Sequence, residues 1–176
     1  MVSARGCDLL VKGPRGEQRH AFATAEEARG RAAFIDEALS WIGTPFRDCA
    51  DIKGPNGAVD CAMLLVRSAV DSGRIPPFDP RPYSPRWLVH RSEEKFVGWL
   101  EKLGACEVAS PRVGDIVLWR FGRTFSHGAV LVNSEEVAHA YGAAGMALVS
   151  RLDEPLLRYL PVRNIPRPVR YFDLWG

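Results

Sequence analysis

The stretch from Val113 to Leu152, VGDIVLWRFGRTFSHGAVLVNSEEVAHAYGAAGMALVSRL, decides the fold class. It holds four apolar runs, DIVLWRF, SHGAVLV, EVAHAY and MALVSRL, each of strand length and each parted from the next by Gly, Asn or Glu turn residues. Links this short join antiparallel neighbours, so the spacing predicts a meander. Upstream the period is helical. Thr24 and Glu27 have the spacing of a capping box, and Phe34, Ala38 and Trp41 recur at helical intervals until Gly43, Thr44 and Pro45 stop the pattern, which predicts a helix near 25–42. Asp60 is a good N-cap for a second helix over 61–72, closed by Gly73, with Leu64, Leu65, Ala69 and Val70 on one side and Cys61 and Ser68 facing the same interior. A third helix, about 92–103, presents Phe96, Trp99, Leu100 and Leu103 and ends at Gly104. Helices followed by strands argue for an α+β fold with the helices packed on a central antiparallel sheet.

Around this frame, DLLV and HAFA flank a GPRG turn and predict a hairpin within 8–23. The glycines and proline of 47–59 predict a loop, and the proline-dense stretch from Ile75 to Pro85 an ordered wrap or lid. In the last nineteen residues Arg158, Arg163, Arg167 and Arg170 face only Asp173, which predicts a solvated tail.

At 176 residues, 47% apolar and 25% charged, the chain is long enough for one core and too apolar to be disordered. A net charge of +2 names no nucleic-acid partner, and charged residues interrupt every apolar run before it could span a membrane. No signal-peptide core precedes Lys12, so synthesis in the cytoplasm is expected. Cys7, Cys49, Cys61 and Cys106 stand at unrelated spacings, which suggests reduced thiols and neither a zinc ribbon nor a disulfide framework.

Cys61 directly follows a helix N-cap, where unpaired N–H groups and the helix dipole favour the thiolate, so a thiol titrating below a free cysteine is expected there. His127 opens one predicted strand and His139 lies twelve residues on in the next, a spacing that can bring the two rings together across a turn near 133–135. Nucleophile, base and orienter are thus all present in type. Cys49 and Cys61 with His127 and His139 also make a Cys2His2 set, although its spacings belong to no ordinary zinc motif. His90 reads as a surface residue, Trp99 and Trp119 as core, Trp87 as a lid residue able to touch substrate, and Asp115 as a turn former.

The ordered set ALSWIGTPF, GAVDCAMLLV, VGDIVLW, SHGAVLV and VAHAY resembles the NlpC-type papain-like cysteine peptidases of cell walls, in particular those of phage tails, prophages and gene-transfer agents. The resemblance covers about 31–176 and leaves 1–30 as an N-terminal extension without a counterpart. It implies a papain-like fold, Cys61 as nucleophile, His127 as base, His139 as orienter and no cofactor or metal. It further implies cleavage of peptidoglycan stem peptides between D-glutamate and diaminopimelate, with Phe46, Asp60, Ser126 and Trp87 as substrate contacts, and delivery to the wall in a phage-like particle with tail proteins as partners. The chain departs from the pattern where many members have a tyrosine and this one has Phe46, and where Ala62 and Met63 replace Ser-Gly. An amidase or acyltransferase with the same triad, or a non-catalytic tail component, are the alternatives.

Overall fold

The computed structural model describes residues 2–84, 93–160 and 165–176. Strands β1 (Ser3–Arg5), β2 (Asp8–Gly13) and β3 (Gly16–Ala21) form an antiparallel sheet in that order, which is the predicted hairpin with one further strand. Leu9 and Val11 are fully buried and join the main core. Helix α1 (Ala25–Leu39) starts where the capping box predicts: Thr24 Oγ1 accepts the Glu27 N–H at 3.0 Å, and the Glu27 carboxylate accepts the Ala23 N–H at 3.3 Å. The helix stops at Leu39, short of the expected end, yet Trp41 is buried as its place in the pattern required.

The loop expected over 47–59 contains a small ribbon, β4 (Asp51–Ile52) paired with β5 (Ala58–Val59). Helix α2 (Cys61–Asp71) follows, capped by Asp60, whose Oδ1 accepts the Met63 N–H at 2.8 Å. Seven of its residues, Ala62 to Val66 with Ser68 and Ala69, are buried, so it is covered on nearly all sides and not on one stripe. Helix α3 (Lys95–Lys102) buries Phe96, Val97 and Leu100.

The main sheet has β6 (Cys106–Val108), β7 (Ile116–Phe121), β8 (Thr124–Leu131), β9 (Glu136–Tyr141), β10 (Met146–Arg151) and β11 (Val169–Asp173) in the order β10-β9-β8-β7-β11-β6, every pair antiparallel. The meander β7 to β10 is as predicted. A short helix α4 (Pro155–Arg158) leads away from it. Helix α2 lies against β8 closely enough that a Cβ on Gly128 would stand 2.5 Å from Leu65 Cδ1, so a side chain there would force the Leu65 side chain to move.

The solvated tail is the main correction. β11 is an interior strand between β7 and β6, with Phe172 and Asp173 buried. Arg31, fully buried on α1, binds Asp173 Oδ1 at 2.8 Å, Asp115 Oδ1 at 2.6 Å and Glu27 Oε1 at 3.0 Å, and it also donates to the Val113 carbonyl at 2.9 Å. Arg112 holds the other Asp173 oxygen at 2.8 Å. Arg170 pairs with Glu107, Arg167 is buried, and Arg163 lies outside the described residues. Asp115 forms its turn as expected, its Oδ2 accepting the Arg112 N–H at 2.7 Å.

Candidate active site

The N-terminus of α2 meets the ends of β7, β8 and β9 at a cavity of about 210 Å³ lined by Cys61, His127, Phe46, Asp60, Ser126, Tyr83, Phe121 and Tyr141, among others. The structure therefore gathers Cys61, His127 and three of the four expected substrate contacts. Trp87 and His90 lie outside the described residues. A larger hollow of about 350 Å³ between Trp119, Glu135, Arg151 and Tyr171 is lined by no cysteine or histidine.

Backbone pairing aims these groups. Trp119 pairs with His127 but Arg120 pairs with Phe125, so Ser126 is the extra residue of a β-bulge. Its carbonyl, turned out of the ladder, accepts the Cys61 thiol at 3.8 Å, while its own hydroxyl donates to the Phe121 carbonyl at 3.1 Å. The Gly-Thr-Pro turn is sewn to β10 by Gly43 N–H to Ala147 O at 2.9 Å, Ala147 N–H to Thr44 O at 2.8 Å and Phe46 N–H to Gly145 O at 2.8 Å, and this delivers the Phe46 ring to the cavity. Asp60 is buried and internally saturated. Besides Met63, it accepts the Cys49 N–H at 2.7 Å and the Tyr83 hydroxyl at 2.6 Å, which ties the proline-dense segment to the helix that carries Cys61.

His127 and His139 meet as the twelve-residue spacing suggested, Nε2 to Nδ1 at 2.8 Å, and His139 Nε2 continues to Ser150 Oγ at 2.9 Å. The tautomers that leave His127 Nδ1 free to accept a proton have its Nε2–H donating to His139, whose Nε2–H donates in turn to Ser150. Burial pushes His127 well below its ordinary value, with the charges of His139 and Arg167 acting the same way, and it lowers His139 to about 4. Both rings are neutral at rest. The zinc alternative fails on this geometry, because each ring spends a nitrogen on the other and Cys49 Sγ donates to the Tyr83 carbonyl at 3.3 Å.

The thiol departs from expectation. Burial, followed by the Asp60 carboxylate, pushes Cys61 up to about 12, against the pull of the Gly128, Ala62 and Cys61 N–H groups. The Ala62 and Cys61 N–H groups are the helix-start donors the sequence suggested, and that of Gly128 comes from β8, but the residue that caps the helix also sets a negative group beside the sulfur. No hydrogen bond joins Cys61 to His127 among the described residues, so the substrate-free site holds a thiol and not a thiolate. Iodoacetamide at pH 6.5 is accordingly expected to alkylate the exposed Cys7 and Cys106 before Cys61. Peptide mapping of labelling rates checks this, and fastest labelling at Cys61 would show that the thiolate is already stabilised.

Ser150, Tyr83, Tyr141 and Arg167 were missed in the sequence. Only Ser150, a hydroxyl in a strand beside that of His139, carried any local signal.

No family model and no curated protein matches the chain. Solved structures do share its fold. The P60 domain of an antigen from M. avium subspecies paratuberculosis superposes with a TM-score of 0.54 at 15% identity, over 84% of this chain and 96% of that one. The peptidoglycan hydrolase RipB from Mycobacterium tuberculosis gives 0.50 at 19%, over 85% and 67%. NlpC1 from Trichomonas vaginalis gives 0.53 at 14%, over 94% of this chain and 54% of that one, so the chain spans about half the length of that protein. The α+β architecture, helices on an antiparallel sheet, is thus that of the papain-like NlpC/P60 domains.

Proposed function

We propose that the protein is a cysteine hydrolase that cleaves an amide bond in the stem peptide of peptidoglycan. The observation that carries this reading is the convergence of Cys61, at the start of α2, with His127 in one open cavity, where His127 is backed by hydrogen bonds to the buried His139 and through it to Ser150. A fold shared with a peptidoglycan hydrolase supports the substrate class. The phage-like particle rests on the sequence motifs.

In the reaction the Cys61 sulfur attacks the scissile carbonyl carbon while its proton passes to His127 Nδ1. The tetrahedral oxyanion is received by the N–H groups that crowd the sulfur, those of Cys61, Ala62 and Gly128. As the C–N bond breaks, His127 returns the proton to the departing amine. Water, deprotonated by the same ring, then opens the thioester, giving the free acid and the thiol. His139 accepts the Nε2–H bond throughout and steadies the imidazolium. Phe46 has no hydroxyl to offer the oxyanion.

Mass spectrometry of purified muropeptides after digestion tests the reading: paired fragments ending at a new carboxyl and a new diaminopimelate amine are expected, and intact muropeptides contradict it. In the same assay His139→Asn, which keeps an acceptor for the base, should lose about 10-fold in kcat and His139→Ala roughly 100-fold. Equal turnover by both folded variants and the parent would remove His139 from the chain.

A further inference from the structure

Apart from the reacting pair Cys61 and His127, the polar side chains lining the cavity among the described residues are those of Asp48, Asp60, Ser126, Tyr83 and Tyr141. The two carboxylates offer a substrate acceptors only. The Ser126 hydroxyl is spent on the Phe121 carbonyl at 3.1 Å, and the Tyr83 hydroxyl on Asp60 at 2.6 Å. Tyr141 is different. Its phenol is half-buried, forms no hydrogen bond with the described residues, and is kept protonated by burial, which pushes it above its ordinary value. Among the described residues the cavity therefore holds one side-chain donor that is not already spent.

The fold fixes where that donor stands. The Tyr141 ring stacks on His139, 5.5 Å between centroids and 26° between planes, and lies 5.4 Å from the His127 ring. Its backbone is pinned as well, because the Tyr141 carbonyl accepts the Ala144 and Gly145 N–H groups at 3.1 and 3.0 Å. Tyr141 thus belongs to the wall that carries the base. In amide cleavage the departing nitrogen must come within hydrogen-bond reach of His127 to collect its proton, so the amine fragment lies along this wall. An amino-acid amine brings a carboxylate or carbonyl on the carbon next to its nitrogen, an acceptor that a plain amine lacks.

We propose that Tyr141 is a specificity residue whose hydroxyl donates to the carboxyl or carbonyl oxygen beside the departing nitrogen, so that the site selects amino-acid leaving groups over plain amines. The assignment rests on the hydrolase reading and deepens it, because it separates a peptidase from an amidase built on the same residues. The bond also turns the nitrogen toward His127 Nδ1, so its loss lowers kcat and not binding alone.

The test uses two substrates with the same acyl part, L-alanyl-γ-D-glutamyl, joined either to diaminopimelate or to the Nε of lysine. The two amines differ by the one carboxylate next to the scissile nitrogen. The unaltered protein should favour the diaminopimelate substrate by roughly 10-fold or more in kcat/KM. Tyr141→Phe, which removes the hydroxyl and keeps the ring against His139, should bring that ratio close to one. Equal kcat/KM for the two substrates on the unaltered protein overturns the proposal without any variant, as does a folded Tyr141→Phe protein that keeps the preference. Cleavage of neither substrate contradicts the hydrolase reading instead. Calorimetric titration of both into Cys61→Ala and into Cys61→Ala with Tyr141→Phe then still reads the recognition: tighter binding of the diaminopimelate substrate that the second change abolishes supports it, and equal or absent binding, or a preference that survives the second change, overturns it.

Discussion

Cys61→Ala is expected to release no muropeptide fragments above background, a fall of roughly 10⁴-fold or more in turnover, because Cys61 is the one thiol among the described residues lining the cavity and the Ser126 hydroxyl there is bonded to the Phe121 carbonyl. The other cysteines cannot replace it: Cys7 and Cys106 are exposed elsewhere, and the Cys49 thiol is turned to the Tyr83 carbonyl. Its fold should be retained, since a half-buried thiol at a helix start is trimmed to a methyl and the Asp60 cap is untouched. Matching thermal unfolding of the variant and its parent, together with the digest, separates lost chemistry from lost structure. Residual turnover within tenfold of the parent would place the nucleophile elsewhere.

The second large effect concerns stability. Arg31→Met removes the one cation shared by Asp115, Asp173 and Glu27 and leaves Asp115 buried without a charge partner, at a cost of about 3–5 kcal/mol. Asp173 suffers less. Burial opposes its ionisation, yet the Trp175 N–H with Arg31 and Arg112 holds it below the ordinary carboxylate range, and Arg112 survives the substitution. The control is Arg170→Ala, which breaks the exposed pair with Glu107 and should cost under about 1 kcal/mol. Urea unfolding of both variants measures the difference, and equal midpoints would mean that the Arg31 cluster does not anchor the last strand.

That cluster also explains what could be read in the sequence and what could not. The helix starts were legible because Thr24 and Asp60 use local side-chain bonds to backbone N–H groups three residues on. β7 to β10 were legible from short apolar runs with turn residues between them. β11 was not, because VRYFD alternates weakly and sits among arginines, and its burial depends on Arg31, 142 residues away along the chain. Charge counted along the sequence suggested a solvated tail, whereas Asp173 and Arg167 are both buried for reasons that only the fold reveals.

The site divides in the same way. The spacing of His127 and His139 across one turn was enough to bring the rings together, and Cys61 after its N-cap was enough to place the sulfur at the cavity. The protonation state was beyond it. Proximity to a helix start is a sequence property, but the desolvation that outweighs it follows from how α2, β8 and the segment carrying Tyr83 close around the sulfur. The bulge at Ser126, which turns its carbonyl to the thiol, depends on the register of β7 against β8, and apolar alternation does not specify that register.

The central claim, that the Cys61 sulfur carries the acyl group, is tested most directly by rapid acid quench of a digest followed by mass spectrometry of the protein. The account predicts an adduct with the mass of the acyl fragment, held as a thioester on the peptide containing Cys61, labile to hydroxylamine and missing in Cys61→Ala. Full turnover with an unmodified Cys61 at every quench time, and the acyl group on another residue or on none, would contradict it.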